Sequence, residues 1–275
     1  MLTTDRPLRV AVLCSRRAPG LLSLLDQPTR GARFEVVAVV TSDPQFADAD
    51  AVRARGVEVM THPIDLFYGT RGSQVYRDFM TRRAYDRETV ALLASHAPDL
   101  LFLDGYLFLL TKPMLEAYEN RMLNLHFSDL TLRKPDRSPA YAGIRSVRDA
   151  IFDGLPETCA TVHLVNAEPD GGAPLVRSWA FPVPPLVHDA RRWQAPDMLK
   201  AYAFAHQEWM IRAASGPLLA ATTQLVVEGC IDLDQAGAAE PSRAVPWLLD
   251  EHGRLTPPAS ARMQGILEGY KRASA

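Results

Sequence analysis

Cysteine is scarce in this chain: Cys14, Cys159 and Cys230 are the only three in 275 residues, too far apart to make a metal-ligand spacing. That excludes a disulfide scaffold or a zinc ribbon, leaves no metal site to expect, and fits a reducing, cytoplasmic setting. No apolar run approaches the roughly 18 residues of a membrane span. The opening segment Met1-Leu-Thr-Thr-Asp-Arg-Pro7 has no basic stretch followed by an apolar one, so no export signal is expected. Neither sign of charge is in excess. Thirty Lys and Arg against 32 Asp and Glu give a net charge of −2, which offers no basic footprint for a nucleic-acid partner. The Gly-x-Gly-x-x-Gly dinucleotide turn, the His-Glu-x-x-His zinc helix and the Gly-x-Ser-x-Gly nucleophile elbow are also missing.

What is present is an alternation of short apolar strands with helix-compatible segments. Leu8-Arg-Val-Ala-Val-Leu-Cys14, Phe34-Glu-Val-Val-Ala-Val-Val-Thr41, Val57-Glu-Val-Met60 and Leu100-Leu-Phe-Leu-Asp104 read as strands, with a helix over 83–96 before the last of them. Such a rhythm implies an α/β fold, Rossmann-like, with a mostly parallel sheet covered by helices on both faces. Ala140 to Phe152 reads as a helix, Ala160 to Val165 and Leu175 to Val183 as strands. Beyond Pro184-Pro185, Met198, Tyr202, Ala205, Trp209 and Ala213 recur at helical spacing and read as a core-facing stripe. Gly216-Pro217 reads as a break in that helix and 259–270 as a final short one. The division expected is a catalytic domain over 1–185 and a mainly helical C-terminal extension over 186–275, packed on the same core.

Sites in such sheets lie at the carboxyl ends of strands. In Met122-Leu-Asn-Leu-His126, residues 124 and 126 share one face of a strand, so Asn124 and His126 act side by side. Asp170 lies downstream, followed by Gly171-Gly172, whose backbone freedom allows a tight loop to carry the carboxylate back to the histidine. An amide donor, an imidazole and a carboxylate together suit acyl-type transfer through a tetrahedral intermediate, with a protonated His126 sharing the oxyanion with Asn124.

The same residues carry a family resemblance. Asn124-Leu-His126-Phe-Ser128-Asp-Leu130 followed by Pro139-Ala-Tyr141-Ala-Gly143 resembles the Asn-x-His-Pro-Ser-Leu-Leu-Pro-x-Tyr-Arg-Gly block of the folate-dependent formyltransferases, closest to their glycinamide ribonucleotide transformylase branch. Thr158-Cys-Ala-Thr-Val-His163 with Glu168-Pro-Asp170-Gly-Gly172 resembles the second block, and Ala84-Tyr-Asp-Arg-Glu88 and Leu103-Asp-Gly105-Tyr the upstream region. The resemblance covers about Leu8 to Val183. It implies Asn124, His126 and Asp170 as the catalytic trio, 10-formyltetrahydrofolate as the formyl donor, and a small-molecule amine as acceptor. It places the donor's pteridine between Leu107, Phe108, Leu109 and Leu110 and the loop Val165, Asn166, Ala167, Glu168 and Pro169. His163 would assist near the acceptor.

Two departures bear on the acceptor. The branch's glycine-rich turn after the first strand, which cradles the substrate phosphate, is here Cys14-Ser-Arg-Arg-Ala-Pro-Gly20, leaving the side chains of Arg16 and Arg17 as candidate anion ligands. Thr131 to Ser138 reads as an insertion, with a second around residues 68–82. Glycinamide ribonucleotide, an amino-sugar nucleotide, and a noncatalytic folate-binding role all stay open, as does the oligomeric state.

Overall fold

The computed structural model describes residues 6–74 and 78–259. Its first strand, β1 (Leu8–Cys14), is apolar at every position but Arg9 because both its faces are covered. It pairs in parallel with β2 (Phe34–Thr41) on one side and with β4 (Leu100–Leu103) on the other, and β3 (Val59–Thr61) lies beyond β2. β5 (Met122–His126) continues the parallel run beside β4. The chain order reverses between β1 and β4, so the crevice between their carboxyl ends is the topological switch point of the sheet.

Helices α1 (Leu21–Leu25), α2 (Ala49–Ala54), α3 (Ile64–Gly69), α4 (Phe79–Ala94) and α5 (Lys112–Ala117) connect these strands. α4 begins at Asp78, whose carboxylate accepts from the Met80 and Thr81 amides. α6 (Ser146–Asp153) is shorter than the helix expected over 140–152. Gly143 sits at φ +76°, and residues 140–145 form a turn that reaches back to β5. After β6 (Glu157–Thr158), β7 (Thr161–Leu164) runs antiparallel to β5, and β8 (Pro174–Arg177) runs antiparallel to β7. The strand expected over 175–183 is two, because β9 (Phe181–Pro182) leaves the main sheet to pair with β6.

The C-terminal segment is helical, with α7 (Pro185–Arg192), α8 (Pro196–Val227) and α9 (Leu233–Ala238), and it also lends the sheet two strands. β10 (Trp247–Leu249) adds in parallel to β8, and β11 (Leu255–Thr256) closes that edge. The nine-stranded order is β11-β10-β8-β7-β5-β4-β1-β2-β3. α8 packs on α1, α6 and the sheet, and its buried face is Leu199, Ala203, His206, Met210, Ala214 and Leu218. The stripe read from the sequence is one position out of phase: Met198 and Trp209 are 48% and 46% exposed. The true stripe was hidden by His206, a buried polar residue held by the Thr158 hydroxyl at 2.8 Å and the Tyr202 hydroxyl at 3.1 Å. The helix also runs through Gly216-Pro217, where the missing side chain lets Ser23 pack against the helix backbone. The helix expected over 259–270 lies outside the described residues except for Ala259. None of the described helices is long and apolar enough to cross a membrane.

Candidate active site

β5 delivers Asn124 and His126 to the same face, and the antiparallel register of β7 sets His163 directly opposite Asn124. The amide of Asn124 donates from Nδ2 to His163 Nε2 at 3.1 Å, while His163 Nδ1 donates to the Leu164 carbonyl at 2.9 Å. Asp170 closes the group from the β7–β8 loop. It adopts φ +54°, and the next two positions must be glycine: a Cβ on Gly172 would overlap the Leu164 carbonyl oxygen, and one on Gly171 would press on Glu168. Folded this way, Asp170 Oδ1 lies 3.5 Å from His126 Nδ1, 3.6 Å from His163 Nε2 and 3.5 Å from Asn124 Nδ2. Its other oxygen accepts from the Gly143 amide at 2.7 Å. His126 Nε2 faces the Tyr141 carbonyl at 3.3 Å, and Ser128 donates to the same oxygen at 2.8 Å.

These groups floor a cavity of about 590 Å³ that opens at the carboxyl ends of β1, β4 and β5. Every residue singled out in the sequence lines it: Arg16, Arg17, Leu107 to Leu110, Asn124, His126, His163 and Val165 to Asp170. Leu107 and Leu109 are each 59% exposed, so that segment is not ordinary core but an apolar wall presented to the cavity. Arg17 is held bidentate by Glu208 at 2.6 and 3.0 Å, and Arg16 pairs with Asp43 at 3.4 Å and bonds Gln45. A separate apolar hollow of about 240 Å³ lies behind Phe127 and Tyr141, reaching Leu132 of the inserted segment.

Comparison with known proteins decides the family. The formyl transferase family profile matches residues 8–213. The chain belongs to the formyl transferase family. Among curated relatives, phosphoribosylglycinamide formyltransferase of Mycobacterium tuberculosis is 33% identical over 183 residues, spanning 66% of this chain and 74% of that protein. The trifunctional purine biosynthetic protein adenosine-3 of Drosophila melanogaster is 27% identical over 210 residues, 71% of this chain but only 14% of that protein. A solved structure of glycinamide ribonucleotide transformylase 1 from Symbiobacterium toebii superposes with a TM-score of 0.55 at 26% identity, covering 78% of this chain and 91% of that one.

In this formyl transferase, burial pushes the His126 pKa below its ordinary value; His163 adds to the shift, and the Asp170 charge and the Tyr141 carbonyl oppose it without reversing it. Burial thus works against the standing imidazolium expected from the sequence and favours the neutral ring near pH 7. With Nε2 donating to the Tyr141 carbonyl, the neutral ring keeps its lone pair at Nδ1, and a proton taken up there faces Asp170. Burial alone would raise the Asp170 carboxyl, but the neighbouring His163 ring, the charge of His126 and the Gly143 amide together hold it well below the usual carboxylate range.

The sequence reading missed the support beneath the apolar wall. Arg82 and Asp86, one turn apart on α4, form a buried pair at 2.9 Å. Arg82 donates to the Tyr106 hydroxyl at 2.7 Å, and Asp86 accepts from both the Thr111 amide and its hydroxyl at 2.6 Å. Tyr106 and Thr111 bracket Leu107 to Leu110, so one ion pair anchors both ends of the wall. The available signal was the i,i+4 Arg–Asp spacing inside a helix whose neighbours Tyr85 and Thr89 are buried.

Proposed function

We propose that this formyl transferase moves a formyl group from 10-formyltetrahydrofolate to the amine of a small-molecule acceptor. The observation that carries the reading is the convergence of Asn124, His126 and Asp170 at strand ends beneath a cavity walled by Leu107 and Leu109. The residues fit a folate: the cavity is of ligand size, and its exposed leucines suit a flat heterocycle that needs an apolar face. When bound, the donor supplies a formyl carbon open to attack by an amine. Asn124 turns an amide hydrogen from His163 or Asp170 to the formyl oxygen as negative charge develops there. His126, neutral beforehand, accepts the amine's proton at the nitrogen facing Asp170, and the carboxylate holds the imidazolium that results. His126 then returns the proton to the departing folate nitrogen, so the new C–N bond replaces the old one with no net change in the protein. His163 orients Asn124 through the 3.1 Å contact. The names of the relatives make glycinamide ribonucleotide a natural acceptor to assay. The described cysteines are all unpaired, which supports a reducing, cytoplasmic setting.

Calorimetric titration with a stable 10-formyltetrahydrofolate analogue should show saturable binding near one per chain. Asn124→Ala and His126→Ala should bind the analogue yet lose about 10²-fold or more in formyl transfer. Absence of analogue binding at high ligand concentration, or near-normal transfer by the folded variants, refutes the reading.

A further inference from the structure

We infer that the acceptor of this enzyme carries no phosphate at the β1–α1 turn, because the Asp104 carboxylate fills that anion position from within the protein. The inference rests on the formyl-transfer reading and narrows its acceptor. In doubly wound α/β folds, the first strand-to-helix turn at the switch point is where backbone N–H groups hold a ligand's phosphate. Here Asp104 follows the last residue of β4, directly across the switch point from that turn. Its Oδ2 accepts from the Gly20 amide at 2.8 Å, and the neighbouring Leu21 amide, which donates to the Ala18 carbonyl at 3.1 Å, also favours the charged carboxylate. The side chain is fully buried, and its Oδ1 has no hydrogen-bond partner among the described residues.

The turn is also shut mechanically. Ser15 donates its amide to the Gly105 carbonyl at 3.2 Å, and Gly105, at φ +75°, lies so close beneath Arg17 that a Cβ would overlap the Arg17 carbonyl oxygen. A phosphate entering here would have to expel a buried acid or share space with it. Burial raises that acid to about 7, so near neutral pH a large fraction would meet the phosphate as a like charge. The guanidinium groups nearby do not substitute for the lost backbone donors: Arg17 is neutralised by Glu208, and Arg16 by Asp43. Besides the paired Arg16 and Arg17, the cavity lining outside the apolar wall includes Pro19, Ile144, Gln207 and Ile211. That lining suits an amine on an uncharged body, apolar with an amide or hydroxyl for Gln207, in place of a phosphorylated sugar.

The test uses the full chain saturated with the stable donor analogue. It is titrated with glycinamide ribonucleotide and with the dephosphorylated riboside, while amide NMR follows Gly20 and Leu21 during addition of inorganic phosphate to the same protein. The ribonucleotide should bind no better than the riboside, and the two amides should not move with phosphate. Asp104→Ala should allow phosphate to shift them, but the wild-type measurements decide the matter even if that variant does not fold. A preference of about tenfold or more for the ribonucleotide, equivalent to about 1.4 kcal/mol, or a saturable shift of either amide in the wild type, overturns the inference. The donor titration separates the two levels: a bound analogue with a tightly bound ribonucleotide removes this inference alone, whereas no analogue binding removes the formyl-transfer reading and the inference with it.

Discussion

Replacing Asp170 by Asn tests the proposed chemistry with little change of shape. Position 170 has φ +54°, a region that Asn tolerates better than most residues, and the Asn side-chain oxygen can still accept from the Gly143 amide. What disappears is one negative charge 3.5 Å from His126, with both side chains almost wholly shielded from solvent. At an effective dielectric of about 20, unit charges at that separation attract by about 5 kcal/mol. Only the part gained when His126 becomes charged during attack bears on the rate. A loss of about 3–4 kcal/mol is therefore expected, equivalent to about 10²–10³-fold in kcat/KM. The acidic limb of the pH–rate profile should also move to lower pH, because Asp170 is the group that raises the His126 pKa against burial. Donor affinity, measured by calorimetry, should change little, since the apolar wall is untouched. A folded Asp170→Asn protein that turns over within about threefold of wild type, or whose acidic limb stays in place, refutes the assigned roles.

Two further outcomes concern stability. His206 is lowered by burial from 6.5 to about 4, so its contribution is lost as pH falls through that window, amounting to about 2 kcal/mol between pH 7 and about pH 5. Asp104 runs the other way: raised from 3.8 to about 7, it costs about 2 kcal/mol more as pH rises over the same span. These two contributions nearly cancel, and Asp104→Asn should unmask the histidine, so that urea midpoints rise with pH in the variant more steeply than in wild type; equal slopes would show that Asp104 is not the opposing group. Separately, Asp86→Ala leaves Arg82 buried without its counter-ion and should cost about 3–5 kcal/mol in urea unfolding. It should also weaken binding of the donor analogue by releasing Thr111, and a wild-type midpoint with wild-type affinity would deny the pair its anchoring role.

How much of this was legible in the sequence depends on the range over which each feature is specified. The β5 pair could be read because i and i+2 share a strand face, a purely local rule, and the Asp170 loop because two successive glycines announce unusual backbone. The phase of α8 could not be read by apolar spacing. Its buried face contains His206 and Ser215, whose hydroxyl and imidazole groups are satisfied by Thr158, Tyr202 and the Ile211 carbonyl, and none of those bonds leaves a mark on hydropathy. The strand β10 was invisible for a similar reason: a strand of three residues gains its sheet partner, β8, from 71 positions upstream.

Asp104 is the sharpest case. Read along the chain, it is no more than the polar end of an apolar strand. Only the parallel pairing of β1 with β4 brings it to the start of α1, 84 positions from its partner Gly20. The absence of a glycine-rich turn after β1 could be seen in the sequence, and it left open whether Arg16 and Arg17 take over the anion. The fold supplies a different answer to the same local need. The amide at the start of α1 requires an acceptor whether or not a ligand is present, and the carboxyl group of a residue from the neighbouring strand meets that requirement. A turn whose Gly20 amide is satisfied from within, and whose Ser15 amide is held by the Gly105 carbonyl, has fewer donors left to recruit a phosphate, so the loss of the glycines and the presence of Asp104 are two halves of one change in what this cavity accepts.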